Sequence, residues 1–140
     1  RISYAAVSHS PHRREDFEKS VEYSERALVL DPTLVYVRMN LGISYLLMDE
    51  YSKAFLAYQS IRSFEPEFEE YDGGIRDLKE LKIKYPSGYP FTDFILGFIL
   101  MEQGRFHDSR NALLSFVNSS FDGSSWKLKA QEMIRMMAGG

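Results

Sequence analysis

The sequence predicts an all-α fold, and three observations lead to that class. Apolar residues recur at the three- and four-residue spacing of a helix along most of the 140 residues. No run alternates with the two-residue period of a half-buried strand, and β-branched residues are few. Most glycines and prolines lie between the periodic stretches, where they end helices and form connections.

Three helical patterns follow one another in the first half of the chain. The first has one apolar face, made of Phe17, Val21, Ser24 and Leu28. The second starts at Val35 with VYVRMNLGISYLLM, which is apolar on several sides, as in a helix packed between neighbours. The third reads YSKAFLAYQSIRSF and follows after only Asp49 and Glu50. A connection that short predicts an antiparallel helical hairpin.

The second half repeats this layout and adds a closing helix. The turn residues QGR separate FTDFILGFILME from FHDSRNALLSFV, which predicts a second hairpin. The last stretch reads SSWKLKAQEMIRMM and predicts one more amphipathic helix, with Ser124 or Ser125 as its N-cap.

The composition excludes several classes of protein. Twenty acidic against 17 basic residues give a net charge of −3, which excludes a generally basic nucleic-acid binder. The absence of cysteine excludes disulfides, thiolate metal sites and cysteine nucleophiles. No apolar run reaches the roughly 18 residues of a membrane span. Because the first residue is Arg1 rather than methionine, we expect a piece of a longer protein, and the compartment stays open between cytosol and periplasm.

An internal repeat relates the hairpins to one another. Asp31–Pro32 lies 34 residues before Glu65–Pro66, and three units numbered from Arg1, Val35 and Pro90 put similar residues at similar places. The shared small residues are Ser8, Gly42 and Gly97 at the eighth place, and Ser20, Ala54 and Ser109 at the twentieth. Small side chains allow the two helices of a hairpin to cross closely.

With these residues in register, the chain resembles the tetratricopeptide repeat family. The unit 35–68 is the clearest match, through Leu41, Gly42, Tyr45, Ala54, Tyr58 and Pro66, with a departure at Ile61. The unit 1–34 matches in its second half, through Phe17, Ala27 and Pro32. The unit 90–123 matches at Leu96, Gly97, Gly104 and Phe106, with departures at Phe116 and Phe121.

The resemblance implies an α-solenoid of about three antiparallel helical hairpins in a single domain. Pro11 departs from the pattern because a proline breaks a helix interior. Either the first helix of that unit is short, or Ser10–Pro11 starts the second helix early. A generic helical bundle is the alternative, since periodicity alone does not separate the two.

Two segments lie outside the three units. Residues 69–89 separate the second unit from the third, and their GIRDLKELKIKY predicts an inserted helix bounded by Gly73–Gly74 and Pro86. Residues 124–138 predict a capping helix, which a repeat array needs at its end to cover apolar side chains.

The sequence does not predict an enzyme, a metal site or a cofactor. His9, His12 and His107 lack the spacing of metal ligands, and no phosphate-binding glycine loop or nucleophile elbow occurs. The run EPEFEEYD is interpreted as a solvated loop rather than a catalytic pair. A small basic patch, made of Arg76, Lys79, Lys82 and Lys84, is either neutralised by that loop or binds phosphate.

The resemblance directs attention to a concave face, which the first helix of each hairpin lines in that family. The corresponding apolar residues here are Tyr36, Met39, Ile43 and Leu46 in the second unit, and Phe91, Phe94, Phe98 and Met101 in the third. An open groove of this kind would be a large apolar patch, which usually marks an interaction site. The inserted helix or a further repeat could instead fill the groove and make these residues core.

A carboxylate clamp, as in the family's chaperone-tail binders, is not supported. Asn40 matches one of its five groups, but Phe91 and Ile95 in the third unit, with Ala5 and His9 in the first, do not match the others.

Two functions are therefore expected from the sequence. The first is non-catalytic binding of an apolar segment or helix of a protein partner in the groove, with Asn40 beside the apolar residues. The alternative is a structural or oligomerisation module whose apolar face packs on its own neighbours. Neither function involves nucleic acid or a cofactor.

Overall fold

The computed structural model of the protein describes residues 11–138. The helices are α1 (Pro11–Leu30), α2 (Val35–Leu47), α3 (Tyr51–Ser60), α4 (Phe68–Lys84), α5 (Phe91–Glu102), α6 (Phe106–Val117) and α7 (Ser124–Ala138), with a 3₁₀ turn at Ile61–Phe64 after α3. No strand occurs in that part of the chain, which confirms the all-α class. The expected first helix of the unit 1–34 falls largely outside the described residues.

The chain separates into two compact units, an N-terminal unit (Arg1–Glu70) and a C-terminal unit (Tyr71–Gly140). The N-terminal unit holds α1, α2 and α3, and the C-terminal unit holds most of α4 together with α5, α6 and α7.

In the N-terminal unit, α1 begins at Pro11, one of the two arrangements that the sequence left open. Its apolar stripe buries Phe17 and Val21. The start of α1 lies against the end of α2, where the Arg14 guanidinium donates to the Met48 carbonyl at 3.3 Å. Further along, the hydroxyl oxygens of Ser20 and Ser44 lie 3.3 Å apart, so the two helices run antiparallel.

Polar contacts fix the turn between α1 and α2. The Asp31 carboxylate accepts hydrogen bonds from the Thr33 hydroxyl at 2.6 Å and the Thr33 N–H at 3.0 Å. These bonds, the hydroxyl's first, lower the pKa of Asp31. The Arg38 guanidinium donates twice to the Pro32 carbonyl, at 2.8 and 3.0 Å, and lies 4.4 Å from the centre of the Phe64 ring.

Helices α2 and α3 form the first hairpin, as predicted. Its turn places Asp49 at φ 59°, in the left-handed region. At the open end, Arg38 donates to the Ser60 hydroxyl at 3.0 Å, so the start of α2 lies beside the end of α3. In the middle, a Cβ added to Gly42 would lie 2.5 Å from Tyr58 Cε2, which shows how closely the helices cross.

Helix α4 differs from the prediction at its start. We expected it to begin at Gly73–Gly74 after a solvated loop, but it begins at Phe68 and contains both glycines. The first turn is stabilised by Glu69 and Glu70, because carboxylates favour the positive end of the helix dipole. In addition, the Glu67 N–H donates to the Glu70 carboxylate at 3.0 Å, half of a capping box. The helix ends at Lys84, before Pro86, as predicted.

Helices α5 and α6 form the second hairpin, with the predicted bounds. Its turn places Gly104 at φ 83°, a conformation that glycine adopts without steric cost. The helices cross at Gly97, where the Ser109 hydroxyl donates to the Gly97 carbonyl at 2.6 Å. A Cβ added to Gly97 would lie 2.5 Å from Leu113 Cγ.

Helix α7 spans Ser124–Ala138, and its bounds match the segment predicted as the capping helix. It buries Ala130, Met133 and Met137. Before it, the loop buries Phe121, whose ring centre lies 5.0 Å from that of Phe116. Phe121 and Phe116 are the two departures from the repeat pattern, and they pack against each other in the core.

Candidate functional site

Most of the residues predicted to line a groove are buried. Met39, Asn40, Ile43, Leu46, Phe91, Phe94 and Phe98 are all less than a tenth exposed, and Ile43 and Phe94 have no exposed surface. Met101 is half-buried. Tyr36 alone among the predicted residues is open to solvent, at 62% exposure. A partner could therefore reach the buried side chains only after the helices separate.

An aromatic cluster explains the burial of the predicted residues in the C-terminal unit. The rings of Phe91 and Phe94 stack on each other at 5.0 Å. The Trp126 ring of α7 meets both edge-on, at 4.9 and 5.2 Å, and the Phe116 ring of α6 does so at 5.7 and 5.4 Å. These two phenylalanines thus form the core between α5, α6 and α7.

In the N-terminal unit, the predicted residues lie along a helix that is buried over most of its surface. Met39, Ile43 and Leu46 follow one another at helical spacing on α2. The Asn40 carbonyl accepts a hydrogen bond from the Ser44 hydroxyl at 3.0 Å. Tyr36 stands in the first turn of the same helix and marks the point where this face becomes accessible.

A second feature of the N-terminal unit is the half-buried Tyr45 of α2. Burial raises the pKa of its hydroxyl, and the carboxylates of Glu25 and Glu50 raise it further. The Lys53 ammonium lies 5.7 Å from the centre of its ring. The Tyr45 hydroxyl therefore ionises at a higher pH than an ordinary tyrosine hydroxyl.

In the C-terminal unit, a carboxylate joins three helices. Lys82 Nζ of α4 lies 2.6 Å from Asp93 Oδ1 of α5, and the Ser115 hydroxyl of α6 donates to Asp93 Oδ2 at 3.0 Å. The Asp93 side chain is only 11% exposed, whereas that of Lys82 is 41% exposed, so the carboxylate is largely removed from solvent and the ammonium is not. The sequence predicted Lys82 as part of a basic patch and predicted no role for Asp93. Its only signal was an aspartate within an otherwise apolar run.

This arrangement divides the predicted basic patch. Lys82 is paired with Asp93, and the Arg76 guanidinium lies 3.2 Å from the Asp72 carboxylate. Lys79 and Lys84 remain exposed on α4. Phosphate binding by four cooperating cations is therefore not favoured, since two of them have carboxylate partners.

Sequence periodicity did not identify the apolar side chains that the structure exposes. The largest exposures are those of Tyr23, Val29, Leu30, Tyr36, Leu56 and Phe68 in the N-terminal unit, and of Ile83, Leu128 and Met136 in the C-terminal unit. Helix α1 carries three of them, and α7 carries two. A lone exposed apolar side chain is ordinary, whereas several on one helix face favour contact with a further surface.

The described residues contain no group of three or more histidine, aspartate or glutamate side chains that could hold a metal ion. Of the three histidines, His107 is exposed, and the side chains of His9 and His12 lie outside the described residues. No helix between residues 11 and 138 has both the length and the apolar character needed to cross a bilayer. Comparison with family models, curated proteins and solved structures gives no match for the chain.

Proposed function

We propose that the chain is a non-catalytic scaffold of tetratricopeptide-like hairpins that binds a protein partner. The observation that carries the proposal is the identical register of the two hairpins. A hydrogen bond between Arg38 and Ser60 joins the two helices of the first hairpin, and one between Ser115 and Asp93 joins those of the second. The two residues of each pair are 22 positions apart in the sequence.

The agreement extends to the turns and the crossing points. Each turn holds its second residue in the left-handed region, Asp49 in one hairpin and Gly104 in the other. Each crossing brings a glycine, Gly42 or Gly97, against a buried side chain of the second helix. Two hairpins built alike are what a stacked array of repeats requires, and such arrays function by offering extended surfaces to partners.

Tyr36 is the residue through which we propose the partner is contacted. It occupies a predicted groove place, and its ring is 62% exposed where the neighbouring predicted residues are buried. An aromatic ring combines a large apolar area with a hydroxyl that can form a hydrogen bond, a combination enriched at binding hot spots. The buried residues beneath it would hold α2 in place rather than contact the partner.

The test compares two substitutions at equally exposed sites. Tyr36→Glu and Leu56→Glu both change a side chain that is 62% exposed, on α2 and α3 respectively. The wild-type protein is immobilised on a resin and incubated with an extract of the cells that encode it. It should capture a specific partner, which mass spectrometry identifies. Tyr36→Glu should lose that partner and Leu56→Glu should retain it. Equal capture by both variants, or equal loss, would contradict the assignment of Tyr36.

A structural module that associates with itself is the second candidate function. It is favoured by the two apolar side chains that α7 exposes, Leu128 at 63% and Met136 at 65%.

A further inference from the structure

Helix α4 consists of two parts that the rest of the protein supports unequally. The leading segment, residues 68–73, is exposed or half-buried at every position, and Phe68 at its start is 64% exposed. The anchored segment, residues 74–84, is joined to α5 by the ion pair of Lys82. It buries three apolar side chains, those of Ile75, Leu78 and Leu81. Packing against other parts of the protein therefore stabilises mainly the anchored segment.

The two segments join at a pair of glycines, and at the first of them neither the backbone nor the packing requires a glycine. Gly73 lies within the helix, where the backbone conformation suits any residue, and a Cβ atom there would meet nothing within 4 Å. Each glycine in a helix lowers the helix–coil equilibrium about fivefold relative to alanine. Gly73 therefore weakens α4 at the point where the anchored segment begins.

The polar contacts that favour the helical form of the leading segment are local. The Glu67 N–H donates to the Glu70 carboxylate at 3.0 Å, and Glu69 stands with Glu70 at the positive end of the helix dipole. Across the glycines, the Arg76 guanidinium lies 3.2 Å from the Asp72 carboxylate, but this pair is exposed and shifts the helix–coil equilibrium only about twofold. Because short helical segments with little packing are marginal in water, these contacts outweigh the two glycines only narrowly.

The boundary between the two compact units falls within this same segment. The N-terminal unit ends at Glu70 and the C-terminal unit begins at Tyr71. The six residues of the leading segment span about 9 Å as a helix and about 20 Å as an extended chain. Unwinding the leading segment would therefore lengthen the connection between the units by up to about 11 Å.

We propose that Gly73–Gly74 is a hinge at which α4 opens. The leading segment changes between helix and extended chain, while the anchored segment stays folded. The first part of α4 is thus a connection of adjustable length, whose opening leaves the folded core of each unit intact. This device is separate from Tyr36 and does not rest on either of the functions proposed above.

Amide hydrogen exchange of the full chain, resolved by residue with NMR, tests where α4 opens. In a helix, the N–H groups of residues 72–77 donate to the carbonyls of residues 68–73, so opening at the hinge breaks these bonds together. Corrected for intrinsic rates, they should exchange at least about 100-fold faster than those of residues 79–82, which stay in the anchored segment. The protection should change in a step between the two groups, whereas an ordinary frayed end shows a gradual change.

Substitution of the first glycine should shift this equilibrium. Gly73→Ala should slow the exchange of residues 72–77 about three- to fivefold and leave residues 79–82 unchanged. Ile83→Ala, at a side chain 79% exposed in the anchored segment, also raises helix propensity and is the matched control. It should leave the exchange of residues 72–77 unchanged. Equal protection along α4, a gradual change without a step, or a Gly73→Ala variant that exchanges like the wild type would each overturn the proposal.

A distance measurement tests the change of length. The sequence contains no cysteine, so spin labels attach only to the cysteines introduced by Glu67→Cys and Lys79→Cys, on either side of the hinge. Pulsed electron paramagnetic resonance should show a population near the helical separation of about 18 Å and a second, broader one that extends to about 29 Å. Gly73→Ala should reduce the longer population. A single narrow distance in the wild-type background would overturn the proposal.

Discussion

The Tyr58 ring lies directly over Gly42, so close that a Cβ atom on the glycine would stand 2.5 Å from Tyr58 Cε2. Tyr58 has no exposed surface, and its ring cannot move aside without disturbing the core. This contact sets the distance between α2 and α3. It gives a physical reason for the small residue at this place in the repeat pattern.

Replacing Gly42 by alanine should therefore destabilise the protein. The added methyl group forces the helices apart, and we expect a loss of about 1–2 kcal/mol even though alanine is the better helix former. Gly73→Ala is the control, because a Cβ there meets nothing within 4 Å. That change should stabilise α4 by about 0.5–1 kcal/mol. Urea unfolding followed by circular dichroism measures both, and a stabilising Gly42→Ala would refute the close crossing.

Removing the lysine that pairs with the buried Asp93 carboxylate should destabilise the C-terminal unit. Lys82→Met leaves the Asp93 carboxylate with Ser115 as its remaining partner in a largely dry site. We expect a loss of about 1–3 kcal/mol, below the range for fully buried pairs because the Lys82 side chain is 41% exposed. Arg76→Met, which removes an exposed pair with Asp72, should cost about 0.5 kcal/mol or less. Equal unfolding midpoints for the two variants would show that Lys82 contributes no more than a surface charge.

Charge introduced into the aromatic cluster should unfold the C-terminal unit. Phe94→Ala should cost about 3–5 kcal/mol, a large part of the stability of a small domain, and Phe94→Glu with Phe98→Glu should abolish the fold. The single Trp126 reports the change, because its ring centre lies 5.2 Å from that of Phe94. Its fluorescence should shift to longer wavelength as water enters. A folded double variant that only loses partner binding would show that α5 lines an open groove.

The turn between α1 and α2 should contribute stability that depends on pH. The bonds from Thr33 lower the pKa of Asp31 in the folded state. Its contribution is therefore fully present above the ordinary carboxyl pKa and is lost as the pH falls through the lowered value. The difference in unfolding free energy between wild type and Asp31→Ala should be constant near neutral pH and shrink in acid. A difference that grows in acid would contradict the assigned bonds.

Local sequence rules predicted the helices well because each hairpin is defined by nearby residues. Apolar spacing and the QGR turn gave α5 and α6 their observed bounds. The predicted start of α4 is wrong, because the prediction treats Gly73 and Gly74 as residues that end a helix. A short run of carboxylates in the first turn and a capping bond at Glu67 outweigh the cost of two glycines within the helix.

The candidate site was harder to predict, since hydrophobicity does not distinguish a core face from an open groove. Phe91 and Tyr36 occupy corresponding places in the two predicted units, yet Phe91 is 1% exposed and Tyr36 is 62% exposed. That difference depends on which rings pack against α5, a tertiary property that helical spacing does not contain. The role of Asp93 was likewise hidden, because its partners Lys82 and Ser115 lie on other helices.

The most direct test of the scaffold proposal is site-specific photo-crosslinking in the cells that encode the chain. A photoreactive phenylalanine derivative placed at residue 36 should form a covalent adduct with one partner protein. The same group at residue 56, an equally exposed site, should not. An adduct at residue 56 alone, or none at either site, would contradict binding through the exposed end of α2.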